Sequence, residues 1–220
     1  MKNLLIIPCA GGTRIAYSQM LQTLEQEYKL HFLPLSMESE NFQILTVESL
    51  IEEIDIILKT GNDWTLLGHS MGGILAMHYM SVGKNRKKVQ NNFMCSSPHP
   101  KKFEDLKNKI TFQNTIDLKN YLYQLGGVSK ETIESKIFDT YMIPRIKKDL
   151  ELIKSIRNLN LKAINNIPVS SSFICGRDEI KDEIYQLWLD EKISCTVLPG
   201  GHFSLFKNKE IIISLIKKEE

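Results

Sequence analysis

The sequence predicts an α/β fold, a mostly parallel central sheet with helices on both faces and a helical insertion late in the chain. Three observations carry this. Short apolar runs alternate with amphipathic segments, the pattern of parallel strands covered on both sides. In "LLGHSMGGILAMHYM", residues 66 to 80, a serine sits between glycines where an apolar run gives way to a helical pattern, which marks a sharp turn or a close approach of backbone. From about residue 98 to 166 the strand-like runs stop and helical patterns follow one another. A chain of 220 residues with 42% hydrophobic and 25% charged residues can bury one sizeable core, so residues 1–220 are expected to form one domain, with the insertion at about 98–166.

In chain order, "NLLIIP" reads as the first strand. Tyr17, Met20, Leu21, Leu24 and Tyr28 then fall on one helical face, and "LHFLPL" is the second strand. Val47, Leu50, Ile51, Ile54 and Leu58 repeat at helical spacing, followed by the strand "DWTLLGH", a helix from about Met71, and the strand "NNFMCSS". Within the insertion, residues 101 to 110, 115 to 125, 129 to 142 and 145 to 158 read as helices, with Gly126, Gly127 and Pro144 as breaks. The strands resume with "PVSSSFICG" and "ISCTVLPG", and Asn208 is expected to cap a last helix built on Ile211, Ile212 and Leu215.

Composition excludes several classes of function. A formal net charge of +2 lacks the basic excess of a nucleic-acid footprint. Cys9, Cys95, Cys175 and Cys195 are scattered without C-x-x-C pairs or neighbouring His at ligand spacing, so no metal site is expected, and the first three, in or at the end of apolar runs, read as small buried hydrophobes. The apolar run Leu4 to Ile7, ended by Pro8, is too short for a signal segment, and no run is long enough to cross a bilayer. The expectation is a soluble, cytoplasmic monomer that binds neither membrane nor nucleic acid. Residues 101 to 165 hold 13 Lys and Arg against 8 Asp and Glu, a net of +5 that leaves −3 for the rest. That basic face is either simply solvated or a docking surface for an acidic partner.

Gly68-His69-Ser70-Met71-Gly72 fits the nucleophile elbow, G-x-S-x-G, between a strand and a helix. A serine hydroxyl needs a base, so a carboxylate and then a histidine should follow it in sequence. Asp178, after "SSFICGR", and His202, in "LPGGHFSLF", both lie where strands end, at the carboxyl edge where such sheets place ligands. In this triad His202 is general base and acid, and Asp178 its orienting carboxylate. Glu179 and Asp182 are nearby alternatives, ranked lower because they fall towards the start of the next helix, where acids meet the helix dipole. His31, His69, His78 and His99 read as structural or solvated. For the oxyanion, donors are expected from the N–H of Met71 and, in the loop "PCAGGT", from Ala10, with Cys9 the alternative.

The segments "IIPCAGGT", "LLGHSMGG", "YLYQLGGVSKETIES", "FICGRDE" and "LPGGHFSLF" together resemble the type II thioesterases that accompany nonribosomal peptide and polyketide synthases, over nearly the whole chain and in family order. The resemblance implies an α/β-hydrolase fold with a helical lid. It also implies hydrolysis of acyl, aminoacyl or peptidyl thioesters on the phosphopantetheine arm of acidic carrier proteins, with no cofactor of the enzyme's own. It places Ser70, His202 and Asp178 in the triad, and Met71 and Ala10 in the oxyanion hole. A small-molecule esterase or acyltransferase with the same triad is the nearer rival, and a noncatalytic interaction protein on this scaffold the more distant one. One segment departs from the family. After the second strand the family usually carries a Pro-Gly segment with arginine, whereas this chain reads "HFLPLSMESENFQ", so substrate preference or lid contacts are expected to differ there.

Overall fold

A computed structural model describes residues 1–157, 159 and 170–218. Six strands, β1 (Lys2–Ile7), β2 (Tyr28–Phe32), β3 (Trp64–His69), β4 (Val89–Cys95), β5 (Ser170–Gly176) and β6 (Ser194–Leu198), form one sheet in the order β2-β1-β3-β4-β5-β6. Every neighbouring pair is parallel. Successive side chains of a strand point to opposite faces, and β1 shows the consequence. Leu5 and Ile7 join Leu66 of β3 under helices α2 (Val47–Lys59) and α3 (Met71–Val82), while Leu4 and Ile6 join Leu67 on the other face. That second face is covered by α1 (Ser18–Leu24) and by the C-terminal helix, through Met20, Leu21, Ile212 and Ile216. All of β3 is buried.

Between β4 and β5 lie α4 (Phe103–Lys109), α5 (Thr115–Leu125), α6 (Lys130–Glu134) and α7 (Ile143–Ser155). Leu118, Ile133, Phe138, Ile143 and Ile146 give these helices a small core of their own. Residue 158, the expected end of the last helix of the insertion, and residues 160–166, the last assigned to the insertion from sequence, lie outside the described residues. The chain then continues through α8 (Glu183–Gln186), α9 (Ser204–Lys207) and α10 (Lys209–Lys218).

Several sequence expectations are corrected. Tyr28 does not extend the first helix: it begins β2, which is consequently displaced towards the N-terminus relative to "LHFLPL". Its 3.6-residue spacing was coincidental, since the ring is buried equally well from the strand. Pro144 does not break the helix before it. It stands in the first turn of α7, where a missing N–H costs nothing. The preceding turn, Phe138–Met142, is a π-helix, closed by the Ile143 N–H on the Phe138 carbonyl. Asn208 immediately precedes α10, but its side-chain amide donates backwards, to the carbonyls of Ser204 and Pro199, rather than capping the new helix. No helix among the described residues is long and apolar enough to cross a membrane.

The junction of β3 and α3 is packed to contact. A Cβ at Gly72 would stand 1.8 Å from the Ile7 carbonyl oxygen at the end of β1, so the helix can start beside the sheet only with hydrogen at this position. Gly72→Ala is expected to destabilise the protein by roughly 1–3 kcal/mol, visible as a lower urea midpoint with an unchanged slope.

Candidate active site

Ser70 occupies the single residue between β3 and α3, at φ 54° and ψ −114°. Its N–H donates to the Cys95 carbonyl at 2.7 Å, and its own carbonyl accepts from Gly73 N–H, Ile74 N–H and the Ser97 hydroxyl. The turn is thus clamped between β4 and α3, and the side chain stands at the carboxyl edge of the sheet, lining a cleft of about 590 Å³ including its mouth. Met71, Ala10 and His202 line the same cleft. The sequence-predicted serine, histidine and both oxyanion candidates therefore converge.

The predicted acid does not join them. His202 Nδ1 is 2.6 Å from Oε1 of Glu179, whereas the side chain of Asp178 is 69% exposed, with Lys181 Nζ 3.9 Å away. A tight turn decides between these neighbours. After β5, Glu179 and Ile180 N–H both return to the Gly176 carbonyl, which turns residue 178 outward and residue 179 inward beneath the histidine. The argument that assigned Glu179 to a helix start fails because α8 begins four residues later, with Asp182 as its N-cap and also paired to Lys109. The turn following the strand-ending Gly176 was the available signal.

Glu179 is well supported. Its Oε2 accepts from the Ser96 hydroxyl at 2.6 Å and from Gly176 N–H at 3.1 Å. Burial by itself raises this carboxyl, but the bonds and charge of His202, together with Ser96 and Gly176, outweigh it and hold the group below its ordinary 4.5. Ser96, itself at φ 50° just past β4, was not singled out from sequence, and nothing in its local pattern announces it. With Glu179 ionised, His202 Nδ1 carries the proton it donates, which leaves Nε2 free to accept one.

His69 proves to be more than the variable residue of the elbow. It is fully buried, and burial first, the His202 charge second, bring it down to about 3. The neutral ring donates from Nε2 to the His202 carbonyl at 3.0 Å and accepts at Nδ1 from the Tyr17 hydroxyl at 2.9 Å; this tautomer is the one its partners require. Tyr17 in turn accepts the Cys9 N–H at 3.1 Å. One buried chain of hydrogen bonds thus joins the loop after β1, the elbow and the histidine loop. Of the remaining histidines, His99 is buried against Trp188 and meets Glu191 at 3.1 Å, and it is not among the residues that line the cleft.

The same bonds sort the oxyanion candidates. In the loop after β1, Cys9 N–H is held by Tyr17, Gly11 N–H by Asp149 and Gly12 N–H by the Cys9 carbonyl. Ala10 N–H takes no partner among the described residues, so the alternative donor Cys9 is the one already committed. Met71 is the first residue of α3, and its N–H has no intrahelical acceptor. The Cys9 thiol also borders the cleft, but burial pushes it up to about 11, which leaves no thiolate to compete with the serine. The four cysteines are free, and no group of three metal-ligating side chains stands together among the described residues.

A thioesterase-domain family profile matches residues 2–219. The chain belongs to the thioesterase family. A curated relative, the medium-chain S-acyl fatty acid synthase thioesterase of Homo sapiens, is 25% identical over 232 residues, covering 98% of this chain and 86% of that one. Among solved structures, the RedJ thioesterase of the prodiginine pathway in Streptomyces coelicolor superposes with a TM-score of 0.78 at 21% identity, covering 100% of this chain and 90% of its own. The type II thioesterase BorB of the borrelidin cluster gives 0.69 at 16%, covering 99% and 92%. These likenesses establish the α/β-hydrolase fold, and family membership makes the protein a hydrolase of thioesters.

For this thioesterase, Glu179→Gln is expected to lower kcat by about 10²–10⁴-fold, because His202 loses the carboxylate that holds its tautomer and with it much of its acid–base assistance, while Asp178→Asn stays within a few-fold of wild type in the same assay. Stability has a matching signature. Because the Glu179 carboxyl is depressed on folding, its contribution is complete above about pH 4.5 and disappears as pH falls through the lower folded-state value. Denaturation followed across that acid range should show a shallower fall in stability for Glu179→Gln than for wild type.

Proposed function

We propose that the protein is a type II thioesterase, clearing acyl, aminoacyl or peptidyl groups from the phosphopantetheine arms of synthase carrier proteins through Ser70, His202 and Glu179. The observation that carries this reading is the cleft itself. A serine on a strained elbow and a histidine buttressed by an ionised glutamate face the same space, roofed by side chains of the insertion such as Leu122, Leu125 and Ile146. BorB, described as a type II thioesterase, and ClbQ, from the colibactin NRPS/PKS pathway, share this fold, which supports the reading.

In the cycle, Ser70 Oγ attacks the thioester carbonyl as its proton passes to His202 Nε2, and the imidazolium is stabilised by Glu179 at Nδ1. The carbonyl oxygen becomes an oxyanion received by the N–H groups of Met71 and Ala10. The carbon–sulfur bond breaks, the pantetheine sulfur leaves with the proton from His202, and an acyl-serine remains. A water molecule, deprotonated by His202, attacks the ester and regenerates Ser70 with release of the free acid. No other group is called upon to hold or move a proton.

Two measurements test this function. A fluorophosphonate probe is expected to label wild type and not Ser70→Ala, and an acyl-loaded carrier protein should be hydrolysed in preference to the matching free oxygen ester. A marked preference for the oxygen ester would favour a small-molecule esterase instead. The net +5 of residues 101 to 165 adds a salt criterion. Turnover of carrier-bound substrate should fall between low salt and 0.1 M, where exposed charges are screened beyond about 10 Å, more steeply than turnover of a soluble thioester.

A further inference from the structure

Asp149 has no role in the cycle above, yet it is wholly buried, and it forms no salt bridge with any Lys, Arg or His among the described residues. A buried carboxylate without a counter-ion is costly unless its hydrogen bonds compensate. Its two oxygens take two backbone donors from separate loops: Oδ2 accepts from Gly11 N–H at 2.8 Å, and Oδ1 from Ser36 N–H at 3.2 Å. Burial raises the carboxyl and the two loops' bonds lower it, with burial prevailing. One turn earlier on α7, Ile146 lies directly over Gly11. A Cβ on that glycine, whose φ is +71°, would stand 2.7 Å from Ile146 Cγ1. Helix α7 therefore meets the loop by both packing and hydrogen bonding at a single residue, the one that follows Ala10.

We propose that Asp149 is a positioning residue for the oxyanion hole, holding Gly11 N–H so that the neighbouring Ala10 N–H is aimed at the reacting carbonyl. The geometry is that of a two-point clamp. Tyr17 fixes the N–H before Ala10 and Asp149 the N–H after it, and the Gly12 N–H closes the turn on the Cys9 carbonyl at 2.8 Å. The peptide between the clamps has little freedom to rotate. Asp149 touches neither substrate nor nucleophile; it acts through Gly11. This role rests on the acyl-transfer cycle proposed above, with Ala10 as a donor.

The test uses Asp149→Asn in the full chain. The amide keeps the shape of the carboxyl but can accept from only one of the two loops, while its NH2 faces the other donor. With an N-acetylcysteamine thioester, kcat should fall by about 10–10³-fold, up to the loss seen when an oxyanion donor is removed, with KM within about threefold. An alkyl boronic acid, whose tetrahedral Ser70 adduct places an oxygen in the hole, should lose affinity by the same factor as kcat/KM, while a non-hydrolysable thioether analogue binds as before. Tyr141→Phe is the control. It removes a different contact between the insertion and the body, the Tyr141 hydroxyl on the Met37 carbonyl at 3.4 Å, and should leave kcat unchanged. A kcat for Asp149→Asn within twofold of wild type, or thioether affinity falling in step with kcat/KM, would overturn the role and leave Asp149 an anchor of the insertion. Should the variant not fold, amide exchange in wild type decides. Gly11 N–H should be protected in the free enzyme and Ala10 N–H only in the boronate adduct; protection of Ala10 without the boronate, or none with it, refutes the assignment. Failure of the underlying cycle is seen separately, as thioester hydrolysis that survives Ser70→Ala.

Discussion

The conformation of Ser70 is the constraint on which the rest of the site depends. A non-glycine residue at φ 54° and ψ −114° carries on the order of 1–3 kcal/mol of strain and persists only where its surroundings over-determine it. Here they do. β3 is buried along its length and hydrogen-bonded to β1 and β4 on its two sides, and the backbone N–H and carbonyl of the strained residue are taken up by Cys95, Ser97 and the first turn of α3. The strain is thereby held by elements that cannot relax without breaking the sheet. What is gained is a hydroxyl displayed in open space at the head of a helix, where Met71 N–H is available for a developing negative charge.

Around that turn, selectivity among titratable groups is achieved by burial combined with particular partners. His69 and His202 are neighbours with ring centroids 5.4 Å apart, but only His202 has a carboxylate. His69 is kept neutral by burial and serves as a fixed donor and acceptor. A second charge on it would oppose the imidazolium that the proposed cycle forms on His202. The Cys9 thiol, likewise at the cleft, is silenced by desolvation. One nucleophile and one base remain available in a cleft that several such groups approach.

The strand order along the sequence, the insertion and the positions of Ser70, His202 and Ala10 were legible because each depends on local pattern: an apolar run, a glycine pair, a strand end. Tyr28 and Pro144 were misassigned for reasons of tertiary structure. A buried tyrosine satisfies a helix face or a strand equally well by spacing, and a proline that ends one helix in sequence can begin another when the preceding turn widens to a π-helix. Choosing Asp178 over Glu179 failed on a single backbone turn, because residue type does not reveal which of two adjacent carboxylates a turn faces inward. Ser96, Tyr17 and Asp149 were invisible for a stronger reason. Their partners lie 83, 52 and 138 residues away, respectively, and no periodicity reports contacts of that range.

The segment after β2 that departs from the family pattern is also the segment on which the insertion rests. Ser36 N–H binds Asp149, the Arg145 guanidinium lies 4.3 Å from the Phe42 ring centroid, and Tyr141 reaches Met37. Helix α7 belongs to two cores at once: Ile143 and Ile146 pack within the insertion, whereas Leu152 and Ile153 pack into the main core beside α2 and α3. Lifting α7 as a unit would expose those last two side chains, at about 1.5–3 kcal/mol each, and strip both partners from a buried carboxylate. Helix α4 is anchored in the same way, by Phe103 and Leu106 in the main core, whereas the buried residues of α5 and α6, Leu118 and Ile133, lie in the insertion's own core. Access to the cleft is therefore cheaper by displacement of α5 and α6 than by removal of α7, and the loop that aims Ala10 keeps its shape while substrate enters. An oxyanion hole built in this way is organised before the substrate arrives, which is the condition under which fixed dipoles stabilise a transition state without a reorganisation cost.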